Sequence, residues 1–214
     1  MIPLYGFIGM LVSLPWAAGL FRRVAHRPAA YLNILLTLLA FLHGSLILQE
    51  VFQSGPVDLS YPWLTVADLE LDISFSLSLT NLVALELITG LSLFSQVYSL
   101  GYMDKEWALA RFFALLGFFE GAMSGVVLSD SLFQSYFLLE MLTLSTYLLV
   151  GFWYAQPLVI TAARDAFLTK RVGDVLLLMG VVALCSFAGG MGFNDLYARA
   201  ATAPFSPLVA SPLV

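Results

Sequence analysis

Apolar residues along this chain gather into six runs of about 20 residues or more, separated by short polar segments. They cover Pro3 to Phe21, Ala30 to Val51, Ile73 to Leu100, Ala108 to Leu128, Leu132 to Tyr154, and Ala163 to Phe187. A helix rises about 1.5 Å per residue, so about 20 apolar residues cross the hydrocarbon core of a bilayer. The pattern therefore predicts an all-α membrane protein with six transmembrane helices. The first run has no basic segment before it; Arg22 and Arg23 follow it instead. This reads as a retained helix, not a cleaved leader.

Two segments break the pattern. Between the second and third runs, Leu64 to Leu71 alternates weakly after Gly55-Pro56 and Pro62, which predicts a short β-hairpin. After Phe187 the composition turns to Gly, Ala, Pro and Ser. There Asn194 is expected to cap a short interfacial helix through Arg199, and Pro204, Pro207 and Pro212 to interrupt structure. Residues 1–188 thus read as the helical domain and 189–214 as a connection. Ser211-Pro212-Leu213-Val214 has the character of a lead-in to another apolar run, so a longer protein is expected.

Composition agrees with lipid as the solvent. Hydrophobic residues make up 60% and charged residues 11%, against about 25% charged in a soluble domain. The net charge of −5 and the lack of a basic stripe exclude a nucleic-acid partner. A single cysteine, Cys185, excludes an internal disulfide and any iron–sulfur or zinc site built from this chain's cysteines. No phosphate loop, dinucleotide fingerprint or Ser/His/Asp arrangement occurs, so no bound cofactor and no metal are expected here. Eight of the nine Lys and Arg residues follow the first, third and fifth runs. The positive-inside rule puts those loops on the cytoplasmic side and the N-terminus outside. The Phe52 to Asp72 loop, with Asp58, Asp68, Glu70 and Asp72, then faces out.

Ionisable residues within spans cost roughly 2.5 to 3.5 kcal/mol at the centre, so each one is a candidate for function. Glu140 is the best placed. Tyr136, Glu140, Thr143 and Tyr147 share one face of the fifth helix, a carboxylate flanked by hydroxyls that suits proton uptake and release. Glu120 lies beside a stripe of Gly117, Gly121 and Gly125, with Ser124 one turn on. That stripe admits close approach of another helix, and a packing hydrogen bond is the plainer role for Glu120. Glu86 has only Thr89 and Gly90 near it on its face, and His43 reads as a satisfied interior histidine. The sixth run opens with Arg164, Asp165, Lys170, Arg171 and Asp174. Arg171 and Asp174, or Lys170 and Asp174, are spaced to pair along a helix. The basic groups can also snorkel to headgroups. The sharper reading is a polar entry funnel lined by this group.

Four blocks occur in order: Tyr98 to Met103 with Arg111-Phe112-Phe113; Glu140; Ser145 to Trp153; and Ala166 to Asp174. In this order and spacing the chain resembles the distal antiporter-like subunit, subunit 5, of complex I and its photosynthetic relatives. The resemblance implies a subunit without a redox centre that moves protons through half-channels joined by buried charges. It implies that Glu140 is the essential helix-5 glutamate, that Arg171 to Asp174 is the family's Arg-Val-Gly-Asp block, and that a partner lysine lies on a later helix. Leu138-Leu139, Asp165-Ala166-Phe167 and Thr80-Asn81 depart from the common pattern. With the Ala163 to Arg171 run they resemble the F subunit of cyanobacterial complexes specialised for carbon dioxide uptake. That resemblance implies a thylakoid location, plastoquinone reduction, iron–sulfur clusters and quinone in other subunits, a second antiporter-like subunit, and a docked carbon dioxide-hydrating partner. Two other readings stay open: the large subunit of a multisubunit sodium/proton antiporter, and a truncated scaffold that moves no ions.

Overall fold

The computed structural model describes residues 2–20, 27–66 and 69–202. Phe21, Arg22, Arg23, Asp68 and the three late prolines lie outside these. The first helix, α1, runs Pro3–Ala17, opening on a proline in its first turn. It is shorter than the apolar run predicted. Pro15 lacks an N–H inside the helix, and Gly19 takes a left-handed φ of 76°, so the helix stops early. At about 22 Å, α1 falls short of the hydrocarbon thickness. Among the described residues five helices are long and apolar enough to cross a membrane, and α1 is a shorter apolar helix beside them.

The second helix, α2, covers Arg27–Ser54. It leads into an antiparallel hairpin of β1, Val57–Val66, and β2, Leu69–Leu77, with an irregularity between Pro62 and Leu64. The hairpin is longer than expected, and it takes Ile73 to Leu77 from the predicted third span. The reason is local: Ile73-Ser74-Phe75-Ser76-Leu77 alternates apolar and polar, a period of two, which suits a strand. Helix α3, Leu79–Tyr102, starts only where the Ser78 hydroxyl accepts from the Asn81 N–H at 3.2 Å.

Three more long helices follow: α4 at Leu109–Leu128, α5 at Leu132–Val150 and α6 at Pro157–Ala188. Pro157 in the first turn starts α6 six residues before the apolar run. Gly189, at φ 75°, ends it. A short α7, Phe193–Thr202, closes the described chain. Its cap differs from the expected Asn194. The helix already includes Phe193 and Asn194, and the Asp195 carboxylate reaches back to accept from the Gly192 N–H at 3.3 Å.

Helix α4 is the centre, packed by α1, α2, α3 and α5. Its small residues, Ala110, Ala114, Gly117, Gly121, Ala122 and Gly125, explain why: without bulky side chains, neighbouring backbones come close. Two apolar clusters cap the bundle. Ile2, Ala40, Val51, Leu82, Leu85 and Leu128 pack at the hairpin end, and Ala30, Met103, Ala108, Leu109, Phe113 and Phe152 at the other. Between them along α1 to α4 lies a buried polar layer: Ser13, Asn33, Thr37, Gln96, Glu120 and Ser124. Gln96 donates to Thr37 at 2.8 Å, and Asn33 donates to Ser13 and to the Ala29 carbonyl.

Both ends are tied down. At the hairpin end the α4–α5 turn holds the other loops. The Asp130 N–H donates to the Ser74 carbonyl at 3.1 Å, and the Asp130 carbonyl accepts from Phe193 at 3.2 Å. At the opposite end Arg111 donates to the Phe152 carbonyl at 2.6 Å and sits over the rings of Phe152, Tyr154 and Trp107. Nearby on that side, Arg27 of α2 pairs with Asp104 after α3.

Candidate functional site

The α5–α6 interface gathers the best sequence candidates. Tyr136, Glu140, Thr143 and Tyr147 line one face of α5, and α6 lies against that face. The Tyr136 hydroxyl donates to Glu140 Oε1 at 2.8 Å, one turn away along α5. Arg171 Nη1 of α6 donates to Glu140 Oε2. Lys170 Nζ donates to the Thr143 hydroxyl. Tyr147 packs against Phe167 with ring centroids 4.8 Å apart, and the Arg171 guanidinium lies 4.9 Å from the Phe167 ring centre.

The expected pairing within α6 is therefore not what forms. Lys170 and Arg171 reach across to α5 and neither bonds Asp174. Glu140 attracts Arg171 because its side chain is 17% exposed, and a carboxylate so covered needs donors on both oxygens, here Arg171 and Tyr136. Asp174 is buried and its Oδ2 has no hydrogen-bond partner. Asp165 does not join the group. It is exposed, paired with its neighbour Arg164 at 3.1 Å. The polar cluster is thus narrower than the funnel read from sequence: Tyr136, Glu140, Thr143, Lys170, Arg171 and Asp174.

The remaining intramembrane candidates lie elsewhere. Glu120 is fully buried where α1 crosses α4, with Ser124 donating to its Oε1 at 3.4 Å. The close helix approach predicted from the glycine stripe is present, and the neighbour is α1. Glu86 bonds the Ser45 hydroxyl of α2 at 3.0 Å, and Thr89 instead bonds its own helix at the Leu85 carbonyl. His43 bonds the Tyr5 hydroxyl at 3.3 Å, a satisfied interior histidine as expected. Among the described residues no group of three His, Cys, Asp or Glu side chains is placed to hold a metal ion. Sequence reasoning missed the Arg111 cage. Its signal was present in Trp107, Phe152 and Tyr154, but they join Arg111 only through the fold.

Two family models match the chain. Residues 63–113 match NADH-ubiquinone oxidoreductase (complex I), chain 5 N-terminus, and residues 129–209 match NADH:quinone oxidoreductase/Mrp antiporter, TM. The chain belongs to the complex I chain 5 family. Within it, the chain is 71% identical over its whole length to NAD(P)H-quinone oxidoreductase subunit 5, organellar chromatophore 2, of Paulinella chromatophora, and spans 35% of that relative. It is 32% identical to the chloroplastic subunit 5 of Lotus japonicus over 92% of this chain and 26% of the relative. The barley protein, from Hordeum vulgare, is also 32% identical, over 87% of this chain and 25% of the relative. The chain thus spans about a third or less of the curated relatives it matches. As a complex I chain 5 member it is a multi-pass membrane protein, and Glu140 and Arg171 to Asp174 both fall in the second matched segment.

Proposed function

We propose that this chain carries one proton-handling site of a membrane-arm subunit in a photosynthetic complex I-type quinone oxidoreductase. The observation that carries the reading is the cross-helix pair of Glu140 and Arg171 inside a membrane span. A charge pair there is costly to build, and its two members sit on different helices, which suits a group that changes partners. Glu140 is the carboxylate that takes and releases a proton. Arg171 holds it while it is charged. Asp174, one turn from Arg171 and with a free oxygen, is a second seat for the guanidinium. When Arg171 swings to Asp174, Glu140 loses its counter-charge and takes up a proton. Lys170, already bonded to Thr143, supplies a second positive charge beside the path.

The names of the relatives, from chloroplasts and an organellar chromatophore, support a photosynthetic membrane, and we place the protein in a thylakoid-type membrane with its N-terminus on the side away from the cytoplasm. The sequence departures at Leu138-Leu139, Thr80-Asn81 and Asp165 support the form specialised for carbon dioxide uptake. In that setting plastoquinone reduction and the iron–sulfur clusters belong to other subunits. The partners are a second antiporter-like subunit and a carbon dioxide-hydrating peripheral subunit. Exposed Asp165 suits contact with a partner better than proton transfer.

The test is Glu140→Gln in the full-length subunit within its complex. Assembly stays normal, and proton translocation per quinone reduced falls together with coupled carbon dioxide uptake. Unchanged translocation in an assembled variant overturns the assignment. Sodium-dependent exchange without quinone reduction would move the protein to the sodium/proton antiporter reading.

A further inference from the structure

We propose that Glu120 is a second proton-binding site, loaded in the resting fold and separate from the Glu140 cluster. The proposal rests on the reading that the subunit translocates protons. Glu120 and Glu140 lie at one depth: each is about 12 Å along its helix from the tight α4–α5 turn. They face opposite sides of that helix pair, Glu120 toward α1 and Glu140 toward α6.

Their surroundings differ in one decisive respect. Glu140 has a cation and a phenol on its two oxygens. Glu120 has zero exposure, a hydroxyl at 3.4 Å on Oε1, and no partner on Oε2. That second oxygen points at Gly6 of α1, where the two backbones come so close that a Cβ on Gly6 would collide with it. Among the described residues no charged side chain bonds or pairs with Glu120. The α1 phenol, Tyr5, bonds His43 of α2. Glu86 of α3 is held by Ser45, and Glu140 of α5 by Tyr136 and Arg171.

An ionised carboxylate walled in by glycine backbone, with no cation and one weak donor, carries an uncompensated burial cost. A neutral carboxylic acid does not, and its O–H can donate to a helix carbonyl. The Gly117 carbonyl lies at the same contact with Gly6. Glu120 also continues a line of buried polar side chains toward the basic end of the bundle. Asn33 Oδ1 abuts Gly9 and Gly117, and Asn33 Nδ2 bonds Ser13. The proton therefore sits on Glu120 while α1 is closed on α4, and it leaves when α1 moves and water or a base reaches Oε2.

The experiment is infrared difference spectroscopy on the intact complex in its native membrane, with and without turnover, on Glu120→Gln, Glu140→Gln and the parent. The parent shows a protonated-carboxyl C=O band that weakens during turnover, is lost in Glu120→Gln and survives in Glu140→Gln. Assembled Glu120→Gln, which keeps size and hydrogen-bonding shape, loses about tenfold or more of its proton translocation. Where Glu120→Gln fails to assemble, Glu120→Asp is measured for the same band, shifted in frequency. A resting band absent from the parent, a band indifferent to turnover, or wild-type translocation in Glu120→Gln overturns the proposal. Normal translocation in Glu140→Gln with the Glu120 band still responding would sink the Glu140 assignment alone.

Discussion

Arg171 on α6 donates to the carboxylate of Glu140 on α5, so residues 31 apart in sequence meet as a pair between two helices. Nothing else in the α5–α6 interface combines opposite charges across helices. A double-mutant cycle with Arg171→Gln and Glu140→Gln should give a coupling energy on the order of 1 kcal/mol in thermal unfolding. The value is discounted because the Arg171 side chain is 41% exposed. A coupling indistinguishable from zero would mean that the pair contributes nothing to holding α6 on α5.

The α1–α4 crossing depends on missing side chains. A Cβ on Gly117 would lie 2.6 Å from Asn33 Oδ1 and 3.0 Å from the Gly6 carbonyl. One of these contacts is backbone and cannot step aside. Gly117→Ala should therefore cost about 1–3 kcal/mol and lower the yield of folded protein. Gly125→Ala, whose Cβ would meet the Leu138 side chain first, its methyls at 3.1 Å, should cost about 1 kcal/mol or less. Equal melting temperatures for the two variants would refute the close-approach argument.

Arg111 binds through shape as well as charge. Its guanidinium hydrogen-bonds the Phe152 carbonyl while covering three aromatic rings, a geometry that lysine cannot reproduce. Arg111→Lys should lower stability by about 1–2 kcal/mol, read from the thermal midpoint in detergent. If the charge alone mattered, the lysine variant would melt with the parent.

Asp130 makes the hairpin end sensitive to pH. Burial raises its carboxyl pKa above the usual value, and the charges of Asp58 and Asp195 raise it further. A carboxyl with a raised folded-state pKa favours folding below its unfolded value, and that benefit is lost as pH rises through the folded value. Asp130→Asn should therefore raise the melting temperature at neutral pH and give no gain at low pH. A gain of the same size at both would point to a cause other than ionisation. The backbone bonds of Asp130 to Ser74 and Phe193 are left intact by the change.

Much of this molecule is decided by local sequence. Long apolar runs specify membrane helices because a backbone in lipid must satisfy its own hydrogen bonds. The glycine stripe of α4 announced a close neighbour, and the Tyr136-Glu140-Thr143 stripe followed from helical spacing alone. The third span began later than its hydropathy suggested, because the period-two alternation from Ile73 to Leu77 and the Ser78 cap outweighed average apolarity. Only the tertiary structure decided partnership. It chose α1 as the neighbour of Glu120, and it drew Arg171 to Glu140 although Asp174 stood three residues away. It also gathered Trp107, Phe152 and Tyr154 around Arg111. The reason is that burial follows from which helix faces meet. A charge's partner is then the nearest group that shares its dry surroundings, and sequence distance does not measure that.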